Sequence, residues 1–81
     1  MKLSETIEMM ESVDYKERFR AEYLQLKIRL NGLKAMLEKW DYGTLTFIPT
    51  CPRSTYTMQV KAMADYMTIL EARAVMENIE L

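Results

Sequence analysis

DYKERFRAEYLQLKIRLNGLKAMLEKW, residues 14–40, decides the fold. Within it Phe19, Tyr23, Leu26, Leu30, Leu33, Leu37 and Trp40 recur at alternating steps of four and three. At 3.6 residues per turn that spacing draws one continuous apolar stripe along a helix. Asp14 ahead of the stripe predicts an N-cap, with Glu17 three residues on as its reciprocal partner in a capping box. Beyond residue 53, Tyr56, Val60, Met63, Met67, Leu70 and Ala74 repeat the alternation. Two such stripes predict an antiparallel two-helix hairpin.

Between the two helices lies DYGTLTFIPTCPRS, residues 41–54, which holds Gly43, Pro49 and Pro52. Gly43 suits a helix C-cap, and neither proline fits a helix interior. Its Leu-Thr-Phe-Ile run is too short to make a sheet. The segment reads as an ordered connection over 41–53, packed on the helices. Ahead of the long helix, Ile7 and Met10 predict a short helix over about 4–12, with Ser4 as its cap. The expectation is one all-α domain of 81 residues, with helices over about 4–12, 15–40 and 54–78.

Composition narrows what such a domain can do. There is no histidine, so the commonest general base and metal ligand, and every Ser-His or Cys-His pair, are missing. No glycine-rich phosphate loop occurs, and the lone Cys51 has no partner for a disulfide or a zinc site. Cys51 reads as a small buried or half-buried residue. We therefore expect a binding protein rather than an enzyme, without a cofactor or metal. The chain lacks the run of about 20 apolar residues that a membrane span needs, and its acidic first residues are unlike a secretory leader. A cytoplasmic protein with a reduced thiol is expected.

A domain of this size without a covalent staple has little core to stabilise it, so self-association is favoured. The helical wheel gives the same answer. Ala21, Leu24, Ile28 and Ala35 lie opposite the main stripe of the long helix, and Met58, Ala62, Ile69 and Met76 form a second face on the last helix. Met9, Met10, Met58 and Met76 fall where subunits would meet, whereas Met63 and Met67 belong to the core. The alternative is that the first helix or the connection covers these faces.

The net charge of -1 conceals a segregation. Seven basic residues, Lys16, Arg18, Arg20, Lys27, Arg29, Lys34 and Lys39, stand on the long helix against three acidic ones, while both flanking segments are acidic. On the wheel, Lys16, Lys27 and Lys34 border the core stripe on one side, and Arg18 and Arg29 border it on the other. Such residues often pair with carboxylates of a neighbouring helix. Tyr15, one turn before Arg18, can instead set an aromatic plane beside a guanidinium, an arrangement suited to a nucleobase that carries phosphate. Duplex DNA is disfavoured by a pI of about 5.4 and by the acidic ends, and a weak RNA binder meets the same objection. A small anion enclosed between subunits does not.

Two stretches carry a family resemblance. DYKERFRAEYLQLKIRLNGLKAML resembles, through Tyr15, Arg18, Glu22, Leu26 and Leu33, the phage anti-CBASS cyclic-oligonucleotide sponges and related short proteins of crAss-like and other tailed phages. MQVKAMADYMTILEARA is similar to the same family through Gln59, Ala62, Met63, Tyr66, Ile69 and Leu70. The resemblance spans roughly residues 14–76. It implies a homohexamer that binds cyclic dinucleotides, and in some members cyclic trinucleotides, without cleaving them, in the host cytoplasm during phage infection. It implies that Tyr15 stacks on a base and that a basic residue about four turns on meets phosphate. Arg29 is nearest to that place, with Lys27 and Lys34 as rivals. The family often has basic residues just before the Gln of its last helix, where this chain has Tyr56, Thr57 and Met58. That departure leaves Arg53, Gln59 and Lys61 as candidates for a trinucleotide site. The contrasting reading is a small helical adaptor or inhibitor that holds a host protein on its methionine-rich apolar face.

Overall fold

The computed structural model describes all of residues 1–81 and is entirely helical, with no strand. A 3-10 turn, Leu3–Thr6, runs into the short α1, Ile7–Met10; α2 spans Tyr15–Asp41 and α3 spans Arg53–Met76. The first helix is thus a composite of two single turns rather than one helix over 4–12. Ser4 lies inside the 3-10 turn and caps nothing; Lys2 stands at the cap position without a side-chain bond.

Asp14 caps α2, its Oδ1 accepting from the Lys16 N–H at 2.9 Å. The reciprocal half of the predicted capping box is supplied from the other direction. The Asp14 N–H donates to Ser12 Oγ at 3.1 Å, and Glu17 does not take part. A serine two residues upstream already satisfies the donor that Glu17 would have reached. At the far end Gly43 adopts φ 73, with Thr44 N–H donating to the Lys39 carbonyl and Gly43 N–H to that of Trp40. This paired closure is a Schellman motif, which favours glycine because its left-handed residue is strained with a side chain.

The end of α3 is closed in the same way, with Asn78 at φ 55 as the left-handed residue. Ile79 N–H reaches the Ala74 carbonyl at 2.8 Å, and Asn78 N–H that of Val75 at 3.4 Å. The helix consequently stops at Met76 rather than 78. The turn drives Ile79 into the core beside Phe19, Leu26, Leu70 and Ala74, the apolar contact that accompanies such a cap. Lys16 Nζ and Arg20 Nε then donate to the carbonyls of Asn78 and Glu80, holding the tail against the first turns of α2.

Tyr15 meets Glu77, Tyr23 meets Glu71, Tyr66 meets Glu22 and Arg53 meets Asp41 across the α2–α3 seam. The start of α2 meets the end of α3 and the end of α2 meets its start, so the two run in opposite directions. Phe19 and Leu26 of α2, Leu70 and Ala74 of α3 and Ile79 of the tail form one buried cluster, with Tyr23, Met63 and Met67 packed against it; Leu30 and Leu37 are buried further along α2.

The second apolar faces fare differently. On α2, Ala21 is fully buried and Leu24 and Ile28 half-buried, because the N-terminal turns lie across them. Thr6 anchors that cover: wholly enclosed, it donates to the Leu3 carbonyl at 2.7 Å and accepts from Gln25 Nε2 at 3.0 Å. The connection folds back near Ala35, although Ala35 itself stays exposed. Only Leu45 and Pro49 of that connection are partly buried, while Phe47, Ile48 and Cys51 face outward. Cys51 is therefore exposed rather than buried. The prolines and the short span of the connection leave too little chain to turn every apolar group inward. Nothing covers the outer face of α3, where Met58, Ile69 and Met76 are exposed.

The single chain is loosely closed for its size. Its accessible surface is 5953 Å², where a folded monomer of this mass exposes about 5,100 Å². Its radius of gyration is 15.1 Å, against about 12 Å for a compact domain of this length.

Candidate functional site

The clearest constellation of aromatic and cationic groups forms where α2 begins and α3 ends. Asp14 caps α2 there, which places Tyr15 in the first helical turn with its side chain half-exposed. Phe19, one turn on, meets the Tyr15 ring edge to face at 6.3 Å and 60°. The Arg18 guanidinium stands 5.9 Å from the centre of the Tyr15 ring, and its Nη1 donates to the Ser12 carbonyl at 2.7 Å. From α3 comes Arg73, whose guanidinium lies 5.0 Å over the Phe19 ring and whose Nη2 donates to the Tyr15 hydroxyl at 2.9 Å. The Tyr15 hydroxyl in turn donates to Glu77 Oε1 at 2.8 Å, and Arg73 Nε pairs with Glu77 Oε2 at 3.2 Å.

The electrostatics follow from these bonds. The hydrogen bond to Glu77 raises the Tyr15 phenol above its ordinary value, with partial burial and the Glu77 charge adding and Arg73 opposing. The phenol therefore keeps its proton and remains a donor. For Arg73, desolvation works against the charge, but Glu77 and Tyr15 together outweigh it and raise its affinity for the proton.

The charge pattern of α2 is not neutralised within the chain. The three ion pairs are Arg53–Asp41, Lys61–Asp65 and Arg73–Glu77, and none includes a basic residue of α2. The carboxylates across the seam are engaged by tyrosine hydroxyls instead. This outcome differs from the usual pairing of helix flanks with acidic neighbours. It leaves α2 cationic.

Of the residues singled out from sequence, the structure brings Tyr15 and Arg18 together and sets the others elsewhere. Lys27 borders a shallow hollow with Met1, Leu24, Ile28 and Asn31, and Arg29 is exposed. Lys34 lies at the opposite end of α2, about 28 Å from Tyr15 at the helical rise. There it shares a groove of about 430 Å³ with Arg53, over a floor that includes Leu37 and Val60. Arg53 is held by both oxygens of Asp41, at 3.3 and 3.2 Å, and its Nη1 donates to Thr57 Oγ1. Gln59 and Lys61 are exposed and lie outside that groove, with Lys61 paired to Asp65. No three acidic or cysteine side chains gather in a way that could hold a metal ion.

Arg73 and Glu77 escaped the sequence reading. Their spacing of four marks a helical ion pair, but only the register of α3 against α2 shows that the pair reaches Tyr15. A usable signal existed in Asn78, whose tolerance of left-handed backbone favours a tail turned back toward α2.

These features describe a small helical protein with an aromatic and guanidinium cluster at one end and an unneutralised cationic helix. Residues 13–76, well over half of the chain, match the Sequestin family, and the chain belongs to that family. The match covers α2, the connection and α3, and its name is in keeping with the sequestering of a small molecule. No curated protein and no solved structure matches the chain. No helix is long and apolar enough to cross a membrane.

Proposed function

We propose that this protein binds cyclic oligonucleotide second messengers and holds them without cleaving them, as a phage countermeasure acting in the cytoplasm of the infected host. Cyclic dinucleotides are the principal ligands, and cyclic trinucleotides are a second class. Membership of the Sequestin family supports the sequestering role. The observation that carries the choice of ligand is the half-exposed Tyr15 ring with Arg18 beside it, on a helix whose cations no carboxylate neutralises. A flat aromatic surface suits a base, and guanidinium groups suit the phosphodiesters attached to it.

The protein acts as a homo-oligomer, six copies in the arrangement the family resemblance implies. Lys27, Arg29 and Lys34 lie about 18, 21 and 28 Å along α2 from Tyr15. A ligand that stacks on Tyr15 of one copy therefore takes its more distant phosphate contact from a neighbouring copy, with Arg29 the leading residue. Enclosure between chains excludes water and strengthens each charge-assisted bond. The groove with Arg53 and Lys34 is the place for a trinucleotide; Gln59 and Lys61, which do not line it, are weaker candidates for that site. Capture needs rigid complementary groups and no acid, base or nucleophile.

Isothermal calorimetry with cyclic di-AMP, cyclic di-GMP, cyclic GMP–AMP and cyclic tri-AMP tests the proposal. Binding of at least one dinucleotide, lost on Tyr15→Ala, is expected; no heat with any of the four at micromolar protein overturns it. Chromatography of the ligand released by denaturation should return it intact, and a linear product would mean hydrolysis. The bare outer face of α3 favours one other reading, an adaptor that docks on a host protein. Light scattering separates them: the sponge is a defined higher oligomer on its own, and the adaptor is a monomer or dimer until its target is added.

A further inference from the structure

Tyr15 occupies a position where a side chain is ordinarily loose. It is the first residue of α2, half its surface meets solvent, and from its own helix the ring has only an edge contact with Phe19 and the guanidinium of Arg18 beside it. Left to itself, such a side chain samples several rotamers, and a ligand that stacks on it must first order it.

In this chain the phenol is held from another helix. Its oxygen donates to Glu77 Oε1 and accepts from Arg73 Nη2, while Arg73 Nε closes the triangle on Glu77 Oε2. Each corner is itself fixed. Arg73 rests over the Phe19 ring, which is almost wholly buried. Glu77 is the C-cap of α3, its N–H bonded to the Arg73 carbonyl at 2.8 Å. The left-handed Asn78 then turns the tail back to Lys16 and Arg20, so the cap cannot swing away without breaking contacts to α2.

From this triangle we propose that Arg73 and Glu77 are positioning residues for the Tyr15 ring: they hold its hydroxyl end, so the aromatic face is set for stacking before ligand arrives. This deepens the proposed function and rests on Tyr15 being the stacking residue. The latch also fixes which edge of the ring is free. With the hydroxyl engaged toward α3, the solvent-exposed part of the ring stays open to an incoming base, whose phosphate meets the Arg18 guanidinium beside it. Preorganisation of one side chain favours the bound state by about three- to tenfold in affinity.

The test uses the full chain and the tightest-binding cyclic dinucleotide among cyclic di-AMP, cyclic di-GMP and cyclic GMP–AMP. Tyr15→Phe keeps the ring and removes its latch point, and Glu77→Gln weakens the latch from the other side. Each single variant should bind about three- to tenfold more weakly, and Tyr15→Phe should still unfold cooperatively with only a small fall in thermal midpoint. The double variant should be no weaker than the worse single one, because both act through one network. A ligand-free readout accompanies these: the Tyr15 Cζ resonance, followed by NMR through the alkaline range, should titrate at lower pH in Glu77→Gln. Wild-type affinity in both single variants, alongside lost binding in Tyr15→Ala, overturns the positioning role and leaves the sponge reading standing. Additive losses overturn it as well. Binding by Tyr15→Ala as strong as wild type shows that Tyr15 is not the stacking residue and overturns the latch, whereas no binding by the wild type defeats the sponge reading itself and the latch with it.

Discussion

The outward faces of α2 and α3 are alike in sequence and opposite in fate. Each helix carries a second set of apolar residues away from the shared seam. That of α2 is largely roofed by the N-terminal turns, with Thr6 as an enclosed polar anchor, whereas that of α3 lies open along most of its length. The difference lies in which neighbours the chain happens to supply. The turns before α2 fold across it, whereas residues 77–81 turn toward α2 and leave the outer face of α3 uncovered. An apolar face read on a wheel is thus a demand for a partner, and the topology decides whether the same chain meets it.

Adjacent residues on α3 offer the sharpest way to break this comparison. Leu70 points into the seam and is fully buried, so Leu70→Ala should cost about 2–5 kcal/mol, most of the stability of so small a domain. Thermal melts should show a large fall or no cooperative transition. Its neighbour Ile69 is 58% exposed, and Ile69→Lys should change the stability of the single chain by no more than about 0.5 kcal/mol. The same substitution should nonetheless reduce the mass seen by light scattering, because a charge would sit in the seam between copies. An unchanged mass would show that the open face is not where copies meet.

The roof over α2 is tested more gently. Thr6→Val keeps the shape and removes one hydroxyl, leaving the Leu3 carbonyl and Gln25 short of a partner. A loss of about 1 kcal/mol is expected, or about 4–8 °C in the melting temperature. The smallest effect should come from alkali. Tyr15, Tyr23 and Tyr56 hold their protons above the ordinary phenol value of 10.0, chiefly through the Glu77 hydrogen bond, burial and the Cys51 hydrogen bond respectively. The unfolded chain releases those protons first, so this contribution is complete below the ordinary phenol value and fades as pH rises through the folded ones. Thermal midpoints should therefore drift down in the alkaline range, less steeply in Tyr15→Phe.

Much of the fold was legible because periodicity is a local property. The stripes supply most of the core: Phe19, Tyr23 and Leu26 from the first pack with Met63, Met67, Leu70 and Ala74 from the second, and Trp40 meets Tyr56 at the far end. The capping of α2 was half legible: Asp14 announced itself, but the competition between Ser12 and Glu17 for its amide depends on how the preceding turn is bent. The roofing of α2 and the outward pose of Cys51 were not legible, since both depend on where a short irregular segment lands. For the site, Tyr15 and Arg18 could be paired from one helix. Arg73 and Glu77 required the register between two helices, which no single stripe encodes. Tyr15 and Lys34 are parted by the length of α2 itself, about 28 Å at the helical rise, a separation that a wheel does not display.

Trp40, the lone tryptophan, lies at the far end of α2, half-buried and edge-on to Tyr56 at 5.9 Å. Twenty-five residues of helix set it about 38 Å from Tyr15 of its own chain. Its emission is therefore a built-in lamp at the Arg53 end, blind to a base stacking on the same molecule. Dimming of that lamp by a cyclic dinucleotide, and the loss of that dimming in Tyr15→Ala, would mean that the chromophore and the stacked base come from different molecules, brought close by assembly.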